Sequence, residues 1–231
     1  ALLGVGTVGR ALLARLATHP APGLRLGWVA NSRRWAGSVD GLDPAQALDA
    51  LAQGEAHDGD GELPFALAAG DIIVDATASA GLAAWHPRWL RRGHRVVTAN
   101  KLGLGGPGLR AREIRERVAD GGVYGDGATV GAGLPLLRSL RELRAGGDRI
   151  LGLGGVLSGT LACLFDGWDG REPFSARVRA AVARGFAEPD PRVDLSGEDV
   201  RRKLLILART AGYPLEEVEV RVDSLLTPAI E

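Results

Sequence analysis

Cysteine is nearly missing. Cys163 is the only thiol in 231 residues, so no internal disulfide can form, and a reducing, cytoplasmic location is expected. Neither sign of charge is in excess: 28 Lys and Arg stand against 28 Asp and Glu, for a formal net charge of zero. That balance removes the electrostatic basis for gripping nucleic acid or an anionic membrane surface. No apolar run approaches the ~20 residues of a membrane-spanning helix. The four histidines, His19, His57, His86 and His94, have no metal-binding spacing and read as structural or surface residues. Methionine is absent altogether, and the sequence opens at Ala1 inside a short apolar run. We therefore expect a portion of a longer polypeptide.

What is present has a globular balance, 45% hydrophobic and 24% charged. Ala1-Leu2-Leu3 reads as a strand, Gly4-Val5-Gly6-Thr7-Val8-Gly9 as a turn, and the periodic residues through Leu16 as a helix. A dinucleotide needs this arrangement. Gly4 allows the tight turn, Gly6 lets backbone approach a pyrophosphate, and Gly9 lets helix and strand pack closely. Thr7 and Val8 complete the loop at the helix N-terminus, where phosphate charge is favoured. The other reading is a glycine-rich turn that binds nothing.

The second strand, Leu24–Ala30, ends in Asn31-Ser32-Arg33-Arg34. No carboxylate stands there to meet a ribose 2′-hydroxyl, and two guanidinium groups stand ready for a 2′-phosphate. This favours NADP, with NAD as the alternative; a solvated basic turn is the bland reading. A helix is expected over Pro44–Gln53. Asp71–Asp75 reads as a buried strand that leads to Thr77 and Ser79, then Gly81–Arg92 as a helix, and His94–Thr98 as a strand that ends at Lys101. Helix around Ile114–Val118 and strand at Val123-Tyr124 follow. Strands alternating with helices predict an α/β fold, a Rossmann-type doubly wound parallel sheet over residues 1–125.

From 126 to 231 the texture changes to an α+β region, read as the substrate-binding and catalytic half. A Gly-rich turn through Pro135 opens a helix, Leu136–Leu143. Strands are expected at Ile150–Leu157 and Val218–Val222, and a helix at Phe174–Arg184. Between them runs a carboxylate-rich stretch from Glu188 to Lys203. Ser196 is placed to cap a helix on which Asp199 and Lys203 lie four residues apart on one face. Glu188, Asp194, Asp199 and Lys203 could converge on one pocket, where a lysine among carboxylates can hand a proton to a developing alkoxide. The alternative is an ordinary capping-box variant followed by a surface ion pair.

Together these residues resemble the homoserine dehydrogenase family, most closely the dehydrogenase half of the bifunctional aspartokinase–homoserine dehydrogenases. The resemblance is carried by Gly4–Gly9, Val29–Ser32, Val97–Lys101, Val130–Pro135, Leu157–Thr160, Glu188–Pro191 and Asp194–Lys203. It implies NADP-dependent interconversion of L-homoserine and L-aspartate 4-semialdehyde, in threonine and methionine biosynthesis. It implies that Gly4, Gly6, Thr7, Val8, Gly9, Thr77 and Ser79 bind cofactor, with Asn31 and Arg33 near the adenosine ribose. Lys101 and Lys203 correspond to the family's two active-site lysines, Lys203 as proton donor, with Lys101 also beside the cofactor. Asp199 joins them as a catalytic and substrate-binding residue, and Gly159, Glu188 and Asp194 correspond to further substrate-binding positions. The backbone of Val130, Ala132 and Leu134 resembles a sodium-binding turn of some members, although Gly127 stands where some of those carry an acid. The resemblance also implies a homodimer built through this α+β substrate/dimerisation region, and a second region that continues past Glu231, so that this chain lacks its C-terminal end. Two rival readings are another NADP-dependent amino-acid or semialdehyde oxidoreductase and a catalytically silent dinucleotide-binding regulatory module.

Overall fold

A computed structural model describes residues 1–59, 62–187 and 190–226. The chain divides into two compact units, Ala1–Gly133 and Leu134–Glu231.

The first unit opens with strand β1 (Leu2–Leu3) and helix α1 (Thr7–Thr18). Strands β2 (Trp28–Ala30) and β3 (Arg34–Gly37), helix α2 (Ala47–Ala52), and strands β4 (Glu55–Ala56) and β5 (Ile72–Asp75) follow. Then come α3 (Ala80–Arg91), β6 (Arg95–Thr98), α4 (Leu102–Gly105), α5 (Gly108–Ala119) and β7 (Tyr124–Gly125). The strands form one sheet in the order β4-β3-β2-β1-β5-β6-β7. From β2 to β7 every pairing is parallel, as in a Rossmann-type sheet. The β3 and β4 pairings are antiparallel. This extension was not predicted: Arg34–Gly37 and Glu55–Ala56 are too short to show a period-2 pattern.

The topology dictates where a ligand can sit. From β1 the chain moves to one side, into β2, and later returns to the other side of β1 as β5. The helices that leave β1 and β5 diverge, opening a crevice at the carboxyl ends of those strands. Below the crevice, Leu2 and Val29 pack with Leu13 of α1 and with Ala47 and Leu51 of α2. Burying each large aliphatic side chain contributes about 1.5–3 kcal/mol. This core holds α1 against the sheet. Ser79 caps α3, its Oγ accepting from Leu82 N at 3.0 Å. Of the two tryptophans on that helix, Trp89 is buried, while Trp85 lies under the Arg88 guanidinium, which is 4.5 Å from its ring centre.

The second unit carries helices α6 (Leu136–Ala145), α7 (Gly159–Phe165), α8 (Phe174–Ala183), α9 (Arg192–Leu195) and α10 (Glu198–Thr210). Leu164 of α7, Val178 and Ala181 of α8, and Leu195 of α9 form its small core. Neither strand expected there forms. Val218–Val222 instead begins within a 3-10 turn at Glu217–Glu219. Residues 150–157 have no strand assignment; Gly152, Gly154 and Gly155 contribute no side chains for cross-strand packing, and Leu151 and Val156 are exposed. Among the described residues no helix is long and apolar enough to cross a membrane.

Candidate active site

The crevice holds a cavity of about 280 Å³. Gly4 after β1, Asn31 after β2, and Thr77 and Ser79 after β5 stand in its wall, so four expected cofactor residues are brought together. Gly4 adopts φ +91, a left-handed conformation that an L side chain would strain. A Cβ on Gly9 would lie 2.0 Å from Gly4 O, so the helix can approach the turn only with glycine there. A Cβ on Gly6 would meet nothing within 4 Å. The first turn of α1, with Gly6, Thr7 and Val8, is exposed and outside the cavity wall. This is a cradle shaped for close backbone approach by a phosphate.

At the end of β2 the Asn31 carboxamide closes its own turn, its Oδ1 accepting from Arg33 N at 2.8 Å and Arg34 N at 2.9 Å. The two arginines are not equivalent. Arg34 donates through Nη1 to Gly54 O at 2.6 Å and clamps β3 to the end of α2. Arg33 makes no such clamp among the described contacts, and its side chain is exposed. His57, read from sequence as structural or surface, lines the cavity. Its Nε2 donates to Asn31 O at 2.7 Å, and its Nδ1 accepts from Gly59 N at 2.9 Å. Leu63 and Pro64 also line the wall. No sequence signal marks these three; only the antiparallel extension brings them there.

Thr77 is held by Asp75, whose Oδ1 accepts from Thr77 N at 2.9 Å and from Thr77 Oγ1 at 2.6 Å. Lys101 is the residue before α4, and its carbonyl accepts from Gly105 N at 2.7 Å. It is half-buried and outside the cavity wall. Val130 is buried and Ala132 takes φ +50, while Leu134 is exposed. The described residues contain no group of three or more His, Cys, Asp or Glu able to hold a metal ion.

In the second unit α10 carries two of the expected site residues, Asp199 and Lys203. Lys203 Nζ lies 2.7 Å from Asp199 Oδ2, one helical turn earlier, and donates to Leu157 O at 2.8 Å. The ammonium is thus held at a defined point, with its side chain 18% exposed. Leu157 lies two residues before Gly159, the first residue of α7. Asp194 is on α9, whose Leu195 packs against Leu164 of α7. The α10 cap differs from expectation. Gly197 is the N-cap, at φ +78, and Ser196 Oγ only reaches Glu198 N at 3.3 Å. The left-handed glycine turns α9 sharply into α10, a conformation serine would resist. Asp190 is engaged by Arg192, whose guanidinium bonds both carboxylate oxygens at 2.9 Å and lowers its pKa below the usual carboxylate range. Glu188 lies outside the described residues.

Comparison with known proteins accounts for this pattern. Residues 4–124 match the family model described as homoserine dehydrogenase, NAD binding domain, and residues 135–229 match the homoserine dehydrogenase model. The chain belongs to the homoserine dehydrogenase family. It is 44% identical over 209 residues to bifunctional aspartokinase/homoserine dehydrogenase 2 of Escherichia coli, a match covering 87% of this chain and 25% of that protein. The chain therefore spans about a quarter of the length of this relative. Among solved structures, a Candida auris protein of unknown function superposes with a TM-score of 0.83 at 30% identity, covering 99% of this chain and 67% of that one. A hyperthermophilic archaeal homoserine dehydrogenase in complex with NADPH superposes with a TM-score of 0.74 at 22% identity, covering 95% and 73%. That likeness establishes the homoserine dehydrogenase fold for the chain.

Proposed function

We propose that the protein is an NADP-dependent homoserine dehydrogenase that interconverts L-homoserine and L-aspartate 4-semialdehyde. The observation that carries this reading is the Lys203 ammonium fixed by Asp199 and Leu157 O, in a chain whose glycine cradle suits a pyrophosphate. The cradle of Gly4, Gly6 and Gly9, with Thr77 and Ser79 opposite, would hold the dinucleotide. When bound, the cofactor supplies or accepts the hydride.

The chain's own residues do the rest. Lys203 Nζ gives a proton to the aldehyde oxygen during reduction and takes it back during oxidation. Lys101 adds positive charge beside that oxygen. Glu188 and Asp199 hold the substrate ammonium, with Asp194 and the backbone at Gly159 beside the substrate. In this proposal the enzyme works as a homodimer in the cytoplasm, and the turn at Val130, Ala132 and Leu134 takes a sodium ion through its carbonyls.

The test is homoserine-dependent reduction of NADP by the purified protein, followed at the nicotinamide absorbance with NAD in parallel. Turnover supports the reading. A folded protein that binds NADPH yet shows no turnover would sink it.

Cofactor preference gives a separate expectation. With Arg34 engaged at Gly54 O, Arg33 is the guanidinium left to meet a 2′-phosphate. Loss of one charge-assisted hydrogen bond costs about 1.5–3 kcal/mol, so Arg33→Ala should raise the KM for NADP about 10- to 100-fold. The KM for NAD should move little. Equal effects on both cofactors would reassign Arg33 to the solvated turn.

A further inference from the structure

Behind the crevice lies a polar cluster that the chemistry above does not use. Asp75 and His86 are both fully buried, and Asn100 is 2% exposed. The Asp75 carboxylate closes β5 and accepts four hydrogen bonds. Two come from Thr77, one from His86 Nε2 at 2.9 Å and one from Asn100 Nδ2 at 2.9 Å. An ionised carboxylate only accepts, so His86 Nε2 carries the proton toward it. On the far side of the ring, Nδ1 lies 2.9 Å from Tyr124 Oη. Burial, first of all, pushes the Tyr124 hydroxyl pKa well up, so it keeps its proton and can donate to Nδ1.

Asn100 is the junction. Its Nδ2 also donates to Ser79 O at 2.8 Å, and its Oδ1 accepts from Leu102 N at 3.0 Å. One carboxamide therefore joins the loop after β5, with Thr77 and Ser79, to the turn after β6, with Lys101. The fold reserves room for the arrangement. A Cβ on Gly103 would stand 2.2 Å from Tyr124 Oη and 2.8 Å from His86 Nδ1. A carboxylate, an imidazole and a carboxamide at zero or near-zero exposure cost several kcal/mol to desolvate unless hydrogen-bonded, and apolar side chains could fill the same space.

We infer that Asp75, His86 and Asn100 are positioning residues for the dinucleotide. They hold the Thr77–Ser79 loop and the Lys101 turn in the register that binds the cofactor and sets Lys101 for the reaction. Tyr124 supports them by fixing the imidazole tautomer. The inference rests on the dinucleotide reading proposed above. Small displacements of such loops are costly in rate, about a hundredfold for 1 Å.

The test measures NADPH Kd by fluorescence and the kinetics of homoserine oxidation. Asn100→Ala should raise the NADPH Kd by about tenfold or more and lower kcat, because both loops lose their staple. The KM for homoserine should stay within about twofold, since Glu188, Asp194 and Asp199 are untouched. His86→Leu should behave in the same way. His86→Gln, whose amide can donate to Asp75 in place of Nε2, should restore the Kd to within about threefold of the unaltered protein. A merely structural role would not give this rescue together with the split between the two substrates. Should the alanine and leucine variants fail to fold, Tyr124→Phe carries the test. It removes one hydroxyl and should raise the NADPH Kd about threefold, and an unchanged Kd would overturn the inference. Folded variants with unaltered Kd and kcat would overturn it as well. Failure of the unaltered protein to bind NADPH would overturn the dinucleotide reading, and this inference with it.

Discussion

Lys203→Ala should lower kcat for homoserine oxidation by about 10²–10⁴-fold, the range for removing a positioned proton-transfer group. An ammonium has three donors. Asp199 and the Leu157 carbonyl engage two of them, leaving the third direction for a substrate oxygen. Helix α10 supplies the rigidity: Asp199 and Lys203 are one turn apart, and Leu205 and Ile206 on the same helix are fully buried. The NADPH Kd should stay within about twofold, because the loss belongs to the transition state rather than to cofactor binding. Lys203→Arg should fail almost as badly, because a guanidinium does not give up its proton in the working pH range. Near-normal kcat in the alanine variant would move the donor role to Lys101.

Gly9→Ala should damage both stability and cofactor binding. The new Cβ would stand 2.0 Å from Gly4 O and 2.9 Å from Gly4 C, both backbone atoms. Gly4 cannot yield easily, since its own Cβ position is 2.9 Å from Ala76 backbone. The first turn of α1 must therefore shift away from the sheet. Overpacking of this kind costs about 1–3 kcal/mol. Displacing the helix end should raise the NADPH Kd by more than about tenfold. Gly6→Ala separates the two effects. Its Cβ meets nothing within 4 Å, so thermal unfolding should scarcely change, while NADPH binding should weaken because the proposed pyrophosphate position takes that space. A Gly6→Ala protein that binds NADPH normally would show that the cradle is not where the pyrophosphate lies.

The parts of this fold legible in the sequence are those with a local cause. The strand-turn-helix at Leu2–Thr18 is written in three glycines and an apolar periodicity. Strand β5 is a short apolar run ending in Asp75, and β6 sets two valines between Arg95 and Thr98. The Asp199–Lys203 pair follows from helical spacing alone. What was not legible depends on distant pairing. Strands β3 and β4 exist because Trp35 pairs across to Ala30 on one side and to Glu55 on the other. His57 reaches the cavity only through that extension. The partnership of Asp75 with His86 and Asn100 crosses two strands and a helix, and no spacing rule finds it. In the other direction, 150–157 carries apolar residues that suggest a strand, but three glycines interrupt them and among the described residues it has no partner strand.

Both margins of the seven-stranded sheet are two-residue strands, Glu55–Ala56 and Tyr124–Gly125. A long, flat margin offers a row of unsatisfied amides on which a foreign strand can grow. Here a visiting strand would find only one or two backbone groups before the chain turns away. At the Glu55 margin, the Arg34 guanidinium already occupies the neighbouring Gly54 carbonyl. The nucleotide-binding unit thus resists edge-to-edge aggregation through brevity, without a proline or a run of lysines to guard it.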